Sequence, residues 1–223
     1  MRRKTSYASQ NRLKGAETIV NMESVRAFAK DVGALKTYVL LSAALFFAGA
    51  GFGYGSEAFG TFLAGQLEPL RQIAERMNAT ENAQLWFFLF IFFNNFVKSL
   101  LVVFLGALFG VFPIYFLVMN GMILGYVAAA TGRAGGDVGQ MLITGILPHG
   151  VFELTAIIIA CAYGLKYGVL IAVELGRAIR GREATSAIRA FHGTLKRLIA
   201  FLFFTLLAAA FIESTITYLL VRG

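Results

Sequence analysis

The sequence is short of most of what soluble chemistry uses. It holds one cysteine, Cys161, so no disulfide can form within the chain. That residue lies in an apolar run, where a free cysteine behaves as a small packing group. Charged residues make up 14% of the chain, against roughly 25% in soluble domains. That scarcity, with 58% hydrophobic residues, shifts the default class to membrane protein. The net charge of +8 invites a nucleic-acid partner. The charges sit between apolar runs rather than on one soluble face, so no nucleic acid is expected. A Ser-His-Asp order, a Cys-x-x-Cys pair and a phosphate-binding glycine loop are all missing.

Long apolar runs are what the chain does have. Crossing about 30 Å of hydrocarbon takes roughly 20 helical residues. Four segments meet that length with their flanks: "YVLLSAALFFAGAGFGYG", "LWFFLFIFFNNFVKSLLVVFLGALFG", "FPIYFLVMNGMILGYVAAA" and "LIAFLFFTLLAAAFIESTITYLL". A fifth runs from about Met141 to Tyr167. The expected fold is therefore all-α, a polytopic helical membrane protein of about five spans. The first run starts near Tyr38, too far in for a cleaved signal.

Charge in the loops orients the spans. Residues 1–38 carry eight Lys/Arg and three Asp/Glu, and residues 174–197 carry six Lys/Arg and two Glu. The loop 56–83 carries two Arg and four Glu, and 131–140 carries one charge of each sign. Five spans with a cytoplasmic N-terminus put both basic segments inside, the weakly charged loops outside, and the C-terminus outside. Trp86 then falls at the outer interface as an anchor. Residues 1–35 read as a basic cytoplasmic segment with an amphipathic helix over 11–35, carrying Leu13, Val20 and Phe28. Residues 36–221 read as one membrane domain, with an external loop at 56–83 and a second basic helix at 174–197. Such helices either lie on an anionic inner leaflet or simply serve as topogenic loops.

Glycines recur in the first span at Gly49, Gly51, Gly53 and Gly55. Small residues four apart let helix backbones approach where lipid supplies no hydrophobic drive. The spacing predicts that this face, Gly51 included, packs against protein, within the monomer or at a dimer seam.

Polar residues inside the spans cluster at one depth. At about 1.5 Å per residue, Asn94, Asn95 and Lys98 lie roughly 15–21 Å from the outer face, and His149 and Glu153 roughly 12–18 Å. Asn120 lies about 12 Å from the inner face, while Glu213 falls nearer the outer one. An unpaired charge near the centre costs at least about 2.5 kcal/mol, so Lys98 and Glu153 are the expected partners. Asn94 and Lys98 are four apart, as are His149 and Glu153, so each pair shares a helix face. Pro148 suits the first turn of a helix, where its missing N–H is not needed. It predicts a break in the fifth segment, with a short piece before it and a full helix from Pro148 to about Lys166. Gly150 would let a neighbouring group approach. The residues 139–147 are re-entrant, interfacial or part of the span.

"NGMILG" (Asn120 to Gly125, with Gly121 and Gly125) and "LPHGVFEL" (Leu147 to Leu154), after Asn94/Asn95, resemble the stage II sporulation protein M family. The resemblance covers roughly residues 35–221. It implies a helical protein of about five spans in the cell (plasma) membrane. In endospore formers the namesake helps assemble a cell-wall hydrolase complex without being the hydrolase, and relatives occur in organisms that do not sporulate. The resemblance thus implies a non-enzymatic scaffold or assembly factor with the bilayer, cell-envelope proteins or a second copy as partners.

Two other functions stay open at this stage. A transporter or permease would use the mid-membrane polar residues as a solute site. An intramembrane metalloenzyme would use His149 and Glu153, but catalytic zinc normally takes three protein ligands. The only other histidine, His192, falls in the cytoplasmic segment. No catalytic residue, metal or cofactor is therefore expected.

Overall fold

The computed structural model describes residues 23–56, 58–63 and 81–222, with side chains to Thr215. Among these residues, five helices are long and apolar enough to cross a membrane. They are α1 (Lys36–Gly55), α2 (Ala83–Leu105), α3 (Val111–Arg133), α4 (Leu147–Ile179) and α5 (Ala187–Arg222). Backbone polar groups have no water partner in hydrocarbon, so long apolar runs satisfy them internally as helix. Large apolar side chains such as Phe47, Phe52, Phe93, Phe204 and Phe211 are exposed around the bundle. On a bundle of this kind they form the lipid-facing surface. Trp86 is exposed in the first turn of α2.

Helix α4 is the centre of the bundle and touches each of the other four. Its buried residues are mostly small, Ala156, Ala160, Cys161, Ala162, Gly164 and Gly168, with Ile159, Tyr163 and Leu165 among them. Phe92, Leu198, Leu202 and Leu206 of α2 and α5 pack on one side of it. Phe46 of α1, Val102 of α2 and Leu117 of α3 pack with Cys161 on the other. Cys161 is fully buried, as its apolar run required.

Glycine decides how closely the backbones meet. Every fourth residue of α3 is buried: Pro113, Leu117, Gly121, Gly125 and Ala129. This stripe lies on Gly49 and Gly53 of α1. A Cβ on Gly49 would sit 2.5 Å from the Val118 carbonyl oxygen, and one on Gly53 would overlap that of Met122. The α2–α3 turn closes on α4 in the same way, with a Cβ at Gly106 overlapping the Gly164 carbonyl. Gly110 ends that turn at φ +76°, a left-handed conformation that glycine adopts without steric cost.

Three expectations change here. The glycine face of α1 is narrower than expected: among the described residues, a Cβ on Gly51 or Gly55 meets nothing within 4 Å. Gly49 and Gly53 carry the seam because the α3 backbone at Val118 and Met122 lies against them, while Gly121 and Gly125 lie against Phe46 and Ala50. The basic segment 174–197 is not a helix of its own. It is divided between the end of α4, a turn at 180–186 and the start of α5. The chain also does not leave helical structure before Pro148. Residues Met141–Ile146 form a π-helical run that leads straight into α4. The proline ring cannot accept a close carbonyl four residues back and offers no N–H. A widened turn ahead of it, with the Leu147 N–H bonded to the Leu142 carbonyl, meets both demands.

The residues 23–33 are helical and dock on the bundle. The Phe28 ring stacks on Phe201 at 4.8 Å between centroids. The Arg197 Nε donates to Asp31 Oδ2 at 2.7 Å. Phe28 thus packs against protein, while Leu13 and Val20 lie outside the described residues.

Candidate functional site

The polar residues of three helices meet beside the π-helical run. His149 and Glu153 lie one turn apart on α4, so both project on the same side. Asn95 of α2 donates from Nδ2 to Glu153 Oε1 at 2.5 Å. Asn94 donates to Asn95 Oδ1 at 3.3 Å, which links the asparagine pair into the group. From α5, Glu213 brings a second carboxylate. One ring nitrogen of His149 and one oxygen from each glutamate all lie within 4.8 Å of one another. All three side chains are half-buried. The Nδ1 atom of His149 is buried with no hydrogen-bond partner among the described residues.

The other candidate residues stand apart from this group. Lys98 is exposed, and it is not paired with Glu153 among the described residues. Helical phase explains this. Lys98 lies roughly 60° round α2 from Asn95 and one turn further along. Its long side chain leaves the helix on the exposed side, away from Glu153. Asn120 donates from Nδ2 to the Phe116 carbonyl of its own helix at 2.7 Å. Gly150 receives no second helix among the described residues. A Cβ there would meet only Ile146 Cγ2, at 3.1 Å, one turn back. Gly121 and Gly125 serve the α1–α3 seam, where a Cβ on either would overlap a carbonyl oxygen of α1, that of Phe46 or Ala50.

Glu213 is the member that depth counting places apart. Counting residues assumes upright helices with a common starting plane, whereas spanning helices tilt by about 20° on average. The signal that could have found it is its chemistry: a carboxylate in an apolar helix needs a partner wherever it sits.

The family model for stage II sporulation protein M matches residues 42–218. The chain belongs to the stage II sporulation protein M family. No curated protein matches it, and no solved structure does. As a family member with five apolar helices of spanning length, it is a multi-pass membrane protein. The matched range contains the whole polar group and both glycine seams. The docked helix at 23–33 lies ahead of it.

The arrangement has a definite chemical character. Two carboxylates and an imidazole converge, and one amide orients one of the carboxylates. In a low-dielectric setting, facing carboxylates require a proton or a cation between them. The three converging donor atoms are the ones that could hold a metal ion.

Proposed function

We propose that this family member is a non-enzymatic scaffold or assembly factor of the cell (plasma) membrane, with its N-terminus and the α4–α5 turn in the cytoplasm. The observation that carries the reading is the braced extension of α4 and α5. These helices have 33 and 36 residues, or about 50 Å each against about 30 Å of hydrocarbon. Their shared basic end is cross-tied. Arg177 donates from Nη2 to the Glu183 carbonyl at 2.9 Å, and the Thr185 N–H donates to Glu174 Oε2 at 3.0 Å. The docked helix 23–33 adds to the same end through Asp31 and Arg197. A stiff, basic, ordered projection is what a docking platform for other envelope proteins requires. Its six Lys/Arg over residues 174–197 support the inside orientation by the charge rule.

The test is the placement of cell-wall hydrolases in cells lacking the protein. The reading expects a membrane-associated hydrolase to disperse on deletion and to return with the wild-type chain. A chain with Arg177→Ala and Glu174→Gln, expressed at the same level, should restore it poorly. Unchanged hydrolase placement and wall turnover after deletion would sink the reading. Transport is the second reading, and the ionisable group of His149, Glu153 and Glu213 within the spans favours it. It is tested by solute flux in vesicles carrying the purified protein.

A further inference from the structure

We propose that His149, Glu153 and Glu213 form a binding site for a divalent first-row transition-metal ion, with Zn2+ as the best fit. The proposal goes beyond the scaffold reading and does not depend on it.

Geometry is the first argument. The three donor atoms come from two helices and already lie within 4.8 Å of one another. Metal–ligand bonds to imidazole nitrogen and carboxylate oxygen are about 2.0–2.2 Å, so ligands of one ion sit roughly 3–4 Å apart. Small side-chain rotations close the difference. The backbone is already in place, because a four-residue spacing on α4 stacks His149 over Glu153 and α5 delivers Glu213 opposite them.

The second argument is independent of the carboxylates. Nδ1 of His149 is buried and makes no hydrogen bond among the described residues. A buried imidazole nitrogen left without a partner is costly unless something binds there. A metal takes the lone pair of one ring nitrogen, and a neighbouring acceptor takes the N–H of the other.

Charge is the third. Glu153 and Glu213 face each other, and no Lys or Arg neutralises them among the described residues. The ion pair formed there is Arg197 with Asp31, 16 residues along α5 from Glu213, or roughly 24 Å. A divalent ion neutralises both carboxylates at once. Asn95 supports the site from behind. Its amide holds Glu153 Oε1 at 2.5 Å and leaves the other oxygen to turn toward the ion. Hydrogen bonds of this kind fix ligand orientation in metal sites. The π-helical run Met141–Ile146 ahead of the site fits the same picture, since π-turns collect at functional positions.

The donor set selects the ion. One nitrogen and two oxygens suit Zn2+ and, less tightly, Mn2+ or Fe2+. Soft Cu(I) favours thiolate or thioether, and Mg2+ favours an all-oxygen shell. Three protein ligands leave a fourth position for water or another ligand.

The experiment uses the full chain, purified in detergent, stripped with chelator and then titrated with Zn2+. Bound metal is measured after desalting, and thermal stability is followed in parallel. The expected result is a stoichiometric Zn2+ and a raised Tm. Glu213→Gln preserves side-chain shape, so it should abolish binding while leaving the metal-free Tm close to wild type. Asn95→Ala should weaken affinity by about 10-fold or more. His192→Ala should bind as wild type. Equal Zn2+ retention by wild type and Glu213→Gln overturns the site, and so does loss of binding in His192→Ala instead. If Glu213→Gln does not fold, the wild-type chain decides alone. Loading it with Co2+ should give visible d–d bands of a low-coordinate nitrogen–oxygen site. A folded wild-type chain that binds neither ion shows instead that Glu153 and Glu213 share a proton, and the proposal falls.

Discussion

Gly125 of α3 lies so close to Ala50 of α1 that a Cβ on the glycine would overlap the Ala50 carbonyl oxygen. The neighbouring contacts repeat this one turn away, where Gly121 meets the Phe46 carbonyl. Two helix backbones are therefore in direct contact over the seam. In lipid, van der Waals contact of this kind supplies much of what holds helices together.

The seam predicts opposite outcomes for two glycines of α1. Gly53→Leu should force α1 and α3 apart and lower stability by about 1–3 kcal/mol or more. A Cβ on Gly51 meets nothing within 4 Å among the described residues, so Gly51→Leu should be tolerated. Thermal aggregation of each variant in detergent measures the difference. Equal sensitivity of both would show that α1 does not meet α3 through the Gly49/Gly53 pair.

Glu153 should be coupled to Asn95 and not to Lys98. Asn95→Leu removes the donor to Glu153 Oε1 and should cost about 1–3 kcal/mol. Adding Glu153→Leu should recover part of that loss, because no carboxylate is then left without its donor. Lys98→Met removes a charge that is not paired with Glu153 among the described residues, so it should not lower stability. A double-mutant cycle on each pair reads this directly. Strong coupling of Lys98 with Glu153 would contradict the structure.

The docked helix 23–33 should loosen when its ion pair is removed. Asp31 is 17% exposed and Arg197 36%, so screening holds the pair to no more than about 1 kcal/mol. Asp31→Asn should therefore leave global Tm almost unchanged. It should speed tryptic cleavage after Arg26 and Lys30, whose bonds become reachable once the helix lifts. Unchanged cleavage would mean that Phe28 and its stacking on Phe201 hold the helix without help.

Cysteine labelling tests the orientation. Cys161 is fully buried and should stay unreactive in the folded chain, so Cys161→Ala gives a clean background. In intact cells an impermeant thiol reagent should label Glu75→Cys but not Ala184→Cys. The reverse pattern would place the α4–α5 turn outside and remove the scaffold reading's cytoplasmic platform.

Much of the site was legible in the residues, and the limits are instructive. Asn95, His149 and Glu153 stood out because polar groups in an apolar helix demand partners, and the structure brings those three to one place. Lys98 stood out for the same reason, yet its long stem lets the ammonium leave the site. Glu213 was visible as a carboxylate but not as a neighbour of Glu153. Depth along a helix is a one-dimensional quantity, and it says nothing of tilt or of which face turns inward. Pro148 marked the right position, but the chain met its demands with a π-helical run rather than an interruption.

The sequence by itself determined the five helices, because hydrocarbon forces each long apolar run to satisfy its own backbone. That is a local requirement, met residue by residue. It also determined that α1 and α3 carry small residues four apart. It could not say which pair on α1 makes the seam, since Gly49/Gly53 and Gly51/Gly55 have the same spacing. Only the tertiary structure decided that, by setting the α3 backbone at Val118 and Met122 against the first pair. The same holds for the polar group. Its members are separated by 58 positions between Asn95 and Glu153, and by 60 between Glu153 and Glu213. What joins them is the packing of α2 and α5 on the small-residue face of α4, and that depends on the fit of three surfaces at once.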